Sequence, residues 1–587
     1  MRKFWAWIVL GCATACPGQT GESTDTAATT EPTTTGSETT HSPTGTTTES
    51  TPTTGEATTT SGTTGETGET TGGPAPSGAR VVYMTTKPDG KGTDELFFVD
   101  CTGAAPGPAI RIHEPLADGW AVASSIGLSQ SGRWMHYTLA HPTLGQQVWL
   151  VDMSGPLPGT PKQVELPPEL SVDVHPWRFS HDDTRLAFHL AEPGGDFQYY
   201  LCTIAADGGC VPESWGLPAQ RGGTQGFFFE FSPDDTRVAY AGDPDGDGVH
   251  QLFLGGAGPG DAGAAVPVSG DAPLDGSDTE LGWFSQDGET LYFKFGPEQS
   301  LRGVRAVDIS GDPPAAPKTV VPIDGRFTVR ADDGAVLWQV DPELDGDGDL
   351  SLFSLDGAKV GPSVPLHDEP GHVADGGFGW SADGRFVFYR ANGDDVKQAF
   401  ALFAADVSGP TPTPPVRLSA PITTNGTVAD VFGGPDPSFA VYSGRPDLET
   451  GDQLWMVPFE SPADRVQLVQ LPPGGSLFTT EIAPDGSQMF FMAAQEFKAP
   501  LELFHVDLED PGPPVKLNAP LEAGEDVRAP SFSQDGGRVF YRAQRTTGDL
   551  IETRVLQVDV DAPGQATQVS DPTHDVASAW ILPPSGE

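Results

Sequence analysis

The residues best suited to chemistry are carboxylates and thiols. Asp243, Asp245 and Asp247 stand on alternate residues of one Asp/Gly stretch, and Asp345, Asp347 and Asp349 repeat the arrangement in another. Alternating carboxylates on a Gly-kinked loop suit a hard, oxygen-seeking cation, so calcium is the one metal these loops could hold. Neither stretch supplies the later bidentate Glu of an EF-hand, and the competing expectation is a solvated hairpin loop. No other cofactor is expected. Cys202 and Cys210 flank the turn Ala206-Asp207-Gly208-Gly209 and could face one another across a hairpin. In an oxidising compartment they would pair and leave Cys101 free; the alternative is three separate thiols.

Nothing points to nucleophilic catalysis, because no Gly-x-Ser-x-Gly elbow occurs, and no catalytic residue is expected. His175, His181 and His189 lie close in sequence but at different strand and turn positions, which reads as surface and packing rather than a metal set. Charge excludes another class of partner. With 81 acidic against 32 basic side chains and a net charge of −49, the chain repels polyanions, so nucleic acid is not an expected ligand.

The elements that must position these residues begin after a long polar lead. Met1-Arg2-Lys3, the apolar run Phe4 to Leu10 and then Gly11-Cys12 have the layout of a secretory signal, too short to span a bilayer. Val9-Leu10-Gly11-Cys12 resembles the lipobox of bacterial lipoproteins. That resemblance implies an exported protein lipidated at Cys12, or less favourably at Cys16, with the membrane touched only through the anchor. Residues 1–16 are therefore read as the signal and lipobox region. Residues 17–77 are mostly Thr, Gly, Glu, Ser and Pro, with no large apolar side chain. They have nothing to bury against the entropy of ordering and read as a disordered stalk, open to O-glycosylation.

Residues 78–587 carry one repeated signature. Its clearest copies are Phe231-Ser232-Pro233-Asp234-Asp235-Thr236-Arg237-Val238-Ala239-Tyr240, Trp380-Ser381-Ala382-Asp383-Gly384-Arg385-Phe386-Val387-Phe388-Tyr389 and Phe532-Ser533-Gln534-Asp535-Gly536-Gly537-Arg538-Val539-Phe540-Tyr541. The last turn residue recurs at 132, 183, 235, 288, 334, 384, 437, 486 and 536, a spacing of 46 to 53. Each unit reads as a strand, an Asp-Gly or Asp-Asp turn, an alternating strand, a polar loop and two further strands. Four antiparallel strands at this period make a β-propeller blade. Trp177, Trp283, Trp380 and Trp580, at the strand positions, are expected to pack between blades.

The signature resembles the WD40-like PD40 repeat of TolB-type propellers and covers nearly everything after the stalk. A sialidase-type Asp box is disfavoured, since Asp287 and Gly288 are adjacent. The α/β domain that precedes the TolB propeller is not expected here, nor is a hydrolase domain. Val576 to Gly586 reads as a first strand plus turn, and Ala79 to Met84 as a second strand that lacks a first. Joined, the two complete one blade and bring the count to ten. The fold class is all-β, in one large ring or two smaller ones, with one continuous assembly preferred because no linker interrupts the period. The expected function is a non-enzymatic binding module, tethered at the outer membrane, cell surface or periplasm, for a protein or a glycan. The alternative is a propeller enzyme, a polysaccharide lyase or hydrolase, working around the central channel.

Overall fold

The repeat signature builds the same turn wherever it occurs. Ser232 Oγ donates to Asp234 Oδ1 at 2.6 Å and accepts the Arg237 N–H at 2.9 Å. Ser180 with Asp182, Ser285 with Asp287, Ser381 with Asp383 and Ser533 with Asp535 repeat the first bond at 2.6 Å. A short hydroxyl thus clamps the carboxylate while the carboxylate caps the turn, which is why the signature needs Ser and Asp two residues apart. The Ser232 hydroxyl holds the Asp234 carboxyl below its ordinary range, as Ser285 does for Asp287. The residue after Asp, or the one at its place, is left-handed: Gly288 at φ 72°, Gly384 at 69° and Gly536 at 74°. Asp183 and Asp235 adopt the same conformation at φ 60° and 56°, although each bears a Cβ.

These observations come from a computed structural model, which describes residues 79–86, 94–166, 178–191, 197–215, 225–243, 250–258, 264–270, 282–295, 303–321, 325–330, 334–340, 347–356, 359–361, 363–366, 373–392, 399–422, 426–447, 449–548 and 550–582. The chain divides into two units, residues 1–71 and 72–587, and every described residue lies in the second.

Ten antiparallel blades follow. Blade 1 has the order Asp575–Leu582, Arg80–Thr86, Leu96–Asp100, Ile110–Arg111, so a C-terminal strand completes the N-terminal blade. The register pairs Arg80 with Leu582 and Val82 with Trp580. Blades 2 to 10 open at Ala121–Leu128, Arg178–Phe179, Gln225–Phe231, Gly282–Phe284, Gly325–Val329, Val373–Trp380, Thr427–Gly433, Ser476–Ile482 and Glu525–Phe532. First strands of neighbouring blades touch, as Gln225–Phe231 touches Gly282–Phe284, and they are therefore innermost. Last strands of two residues, such as Lys162–Gln163 and Val515–Lys516, are exposed at the rim. Short edges of this kind blunt sheet-to-sheet pairing.

Packing decides between one ring and two. Ten hydrophobic clusters each straddle one blade-to-blade interface. The cluster that closes the series joins Phe540, Val555 and Val569 of blade 10 to Val81, Tyr83 and Phe97 of blade 1. Ten interfaces for ten blades define a single closed ring. Trp283, Trp380 and Trp580 pack into three of these clusters, and Trp177 lies outside the described residues.

The other signature residues stitch the interfaces. Arg237 Nη1 donates to the Ile309 carbonyl of blade 5 at 2.5 Å, and its Nη2 to Gly288 at 3.1 Å. Arg80 makes the same bond to Met153 of blade 2, and Arg538 to Cys101 of blade 1. The second-strand tyrosine ties down the incoming linker. Tyr389 donates to the Leu366 carbonyl at 3.0 Å, and Tyr442 and Tyr83 accept the N–H groups of Ala420 and Asp571 at 3.1 and 3.2 Å.

One segment departs from expectation. The stretch through Asp345 to Asp349 reads as loop, yet from Asp347 it is strand. Asp347 and Gly348 pair with Ala374 and Val373, which fuses blades 6 and 7 into one sheet. The ladder satisfies backbone groups that a loop would leave to water, so pairing overrides the turn preference of Asp and Gly.

Candidate functional site

Three places bring polar groups together: the inner strands, the signature turns and a groove at the rim. Inner strands are bulged in most blades. Register shifts fall between Val122 and Ile126, Gln225 and Phe229, Val373 and Phe378, Val428 and Val431, Phe478 and Thr480, and Arg528 and Ser531. A bulge leaves residues unpaired and re-aims side chains, a device common beside binding sites. In blade 10 the bulge holds Ala529 at φ 43°, a left-handed conformation uncommon for a residue with a Cβ. The adjacent inner strand of blade 9 carries Glu481, whose carboxyl burial pushes up to about 7. A carboxyl balanced between its protonation states at neutral pH can donate or accept a proton.

The turns of blades 3 and 4 meet at Asp235. Its carboxylate accepts the His181 N–H at 2.9 Å, the Asp182 N–H at 2.7 Å and a bond from His181 Nδ1 at 2.8 Å. The Asp235 side-chain bond lifts the pKa of His181. Nearby, Arg178 Nη1 meets Glu230 at 2.8 Å, and burial raises the Glu230 carboxyl despite that partner. Ser131 Oγ donates to Asp183 in the same way, one blade earlier. Asp in place of Gly at the left-handed position thus binds the preceding turn, which offsets its strain. His189 is buried and stacks on Tyr199 with centroids 4.8 Å apart. His175 lies outside the described residues.

At the rim, blades 2, 3 and 4 enclose a groove of about 480 Å³. It is lined by the outer strands Lys162–Gln163 of blade 2 and Glu213–Trp215 of blade 3, and by the hairpin turn of blade 3. Cys202 and Cys210 form the base of that hairpin with Cα atoms 5.6 Å apart and a disulfide between them, while Cys101 is buried and free. Burial pushes the Cys101 thiol up to about 12. The hairpin is held to blade 2 by the Glu165 N–H to Cys210 carbonyl bond at 3.1 Å, and by Lys162 Nζ to Asp207 at 3.5 Å. Trp215 is 3% exposed, and its indole Nε1 has no hydrogen-bond partner. Sequence reading singled out Cys202 and Cys210 but not the groove, because its walls come from strands of three different repeats.

Of the expected calcium ligands, Asp243 is buried and Asp349 exposed. Asp245, Asp247 and Asp345 lie outside the described residues, as does the side chain of Asp347. Among the described residues no three His, Cys, Asp or Glu side chains group as a metal set. Cys12 and Cys16 also lie outside them. No helix among the described residues is long and apolar enough to cross a membrane.

Fold and groove together define a ten-bladed β-propeller with a recess at its rim. Solved structures with propeller likeness include TolB from Acinetobacter baumannii, at 17% identity over 50% of this chain and 64% of that one, with a TM-score of 0.26. Prolyl oligopeptidase B from Galerina marginata aligns at 14% identity over 64% of this chain and 55% of its own, TM-score 0.32. An oligogalacturonate lyase from Vibrio parahaemolyticus aligns at 13% identity over 66% and 97%, TM-score 0.30. The aligned region spans less than two thirds of the first two proteins, and identities this low establish no correspondence of residues. No family model matches the chain, and no curated protein matches it in sequence.

Proposed function

We propose that this chain is an exported, lipid-anchored propeller of the WD40-like PD40 (TolB-type) repeat family that binds a protein or a glycan. The observation carrying the binding reading is the rim groove, whose volume falls in the range of small-ligand and peptide-side-chain sites. The signature of Ser, Asp, Arg and Tyr is consumed by turns and stitches, so the groove's residues are free to vary with the ligand. The anchor reading rests on Val9-Leu10-Gly11-Cys12 and the Thr-rich stretch after it. Full-length protein recovered from its native envelope should carry diacylglyceryl-cysteine at Cys12. An unmodified N-terminus within residues 17–77, with the protein in the soluble fraction, would remove the anchor. Glycan-array and proteomic capture with the same protein should return a ligand displaced by substitutions in the groove.

One observation favours the enzyme reading: Glu481, a carboxyl raised to about 7 on an inner strand. Turnover of oligosaccharide or peptide substrates that falls at least about 100-fold in Glu481→Gln would establish it. Absence of turnover across such a panel leaves binding as the function.

A further inference from the structure

We propose that the groove between blades 2, 3 and 4 is the docking site for an extended, basic peptide segment of a partner protein. The inference rests on the binding reading above and names its ligand class. Charge selects the sign of the ligand. Glu165, Asp207 and Glu213 line the groove, all exposed, against the single amine of Lys162, which Asp207 already engages. Two carboxylates are thus left for an incoming cation, on a chain whose net charge of −49 would draw basic segments toward it.

Geometry selects a peptide. Lys162–Gln163 and Glu213–Trp215 are terminal strands of their sheets, hydrogen-bonded to a neighbour on one side only. An extended chain can add to such an edge through its backbone. Val211, 62% exposed on the groove wall, offers an apolar contact for an alternate side chain. Sugar recognition would call instead for an exposed aromatic face, and the Trp215 ring is covered by Phe229 and Tyr240 in edge contacts at 5.5 and 5.1 Å.

The test is fluorescence anisotropy of full-length protein with a labelled Lys-Val-Lys-Val-Lys peptide at about 0.15 M salt, where long-range attraction is screened beyond roughly 8 Å. The Glu165→Gln/Glu213→Gln double variant should weaken binding at least about fivefold, in keeping with two partly exposed ion pairs. A control pair of exposed carboxylates on blade 9, Glu496→Gln/Glu509→Gln, removes the same charge and should change binding less than about twofold. All three proteins should melt at the same temperature. Equal weakening by the two doubles would reduce the effect to the overall charge and overturn the site. Equal binding of a Glu-Val-Glu-Val-Glu peptide, or no binding of the lysine peptide, would overturn it as well. A glycan displaced by the Glu165/Glu213 double but not by the control would overturn the peptide class while leaving the binding function standing.

Discussion

Arg538 is 4% exposed, and it reaches the Cys101 carbonyl while its Nε meets Asp559 at 2.5 Å. Arg385 occupies the corresponding turn of blade 7, but its own side chain is 42% exposed and its partner Glu460 67%. Removing a buried charge-assisted donor strands its acceptors, whereas an exposed pair competes with water. Arg538→Ala should therefore cost about 2–4 kcal/mol in urea unfolding and Arg385→Ala clearly less. Equal midpoints for the two variants would refute the stitch. A second residue sets a pH dependence. His136 is fully enclosed between blades 2 and 3, against Phe179, and burial pushes its pKa down to about 3. Its folded pKa lies below the unfolded value near 6.5, so between those limits the unfolded chain binds the extra proton. Stability should fall as pH drops from about 6.5 toward 3, and His136→Leu should flatten that part of the curve in guanidinium midpoints measured at successive pH values. An unchanged slope would show that other groups carry the acid sensitivity.

At the scale of elements, the disulfide hairpin and the acidic stretches make separate forecasts. Cys202 and Cys210 are eight residues apart and both 2% exposed. Closing a loop of that length contributes about 2.5 kcal/mol by loop entropy, and the hairpin carries the Cys210 carbonyl that holds Glu165. Cys202→Ala/Cys210→Ala should lower stability by about that amount and weaken groove binding more than it weakens the fold. A melting temperature untouched by the substitution, measured beside a dithiothreitol-treated wild type, would deny the hairpin any structural bond. For the acidic stretches we propose calcium binding, with ligands among Asp243, Asp245 and Asp247, and among Asp345, Asp347 and Asp349. A ligand bound only by the folded state adds about 2.7 kcal/mol at a hundredfold excess over Kd. Millimolar calcium should lift the unfolding midpoint more than magnesium at equal ionic strength, because magnesium demands tighter octahedral geometry. Equal shifts for the two ions, unchanged by Asp245→Asn and Asp347→Asn, would leave solvated turns and a strand end.

At the scale of the whole molecule, stability rests on closure. Strand Asp575–Leu582 supplies the inner strand of blade 1 and buries Val576 and Leu582, each 2% exposed. Its removal strips the pairing from Arg80–Thr86 and opens two interfaces, since Val576 belongs to the cluster shared with blade 10 and Leu582 to that shared with blade 2. Deleting residues from Val576 onward should cost more than about 5 kcal/mol, a large part of the stability of an ordinary domain. Coincident thermal transitions for the full and trimmed chains would contradict it.

The sequence by itself determined the blade. Ser-x-Asp, a Gly or Asp in the left-handed turn position and the alternating strand that follows are legible in one repeat, and the turn closes through bonds spanning five residues or fewer. The fit of the two chain ends was also legible, because an unpaired second strand and a lone first strand are complementary patterns. Tertiary structure alone decided three matters: that ten blades close into one ring, that the acidic stretch is strand from Asp347 onward, and that blades 2, 3 and 4 enclose a groove. The bonds that close the ring run from Arg538 to Cys101 and from Tyr83 to His574, between residues 437 and 491 positions apart. A repeat pattern records which face of each strand is buried; which neighbour buries it, and what recess is left between neighbours, depends on contacts that form only when distant blades meet.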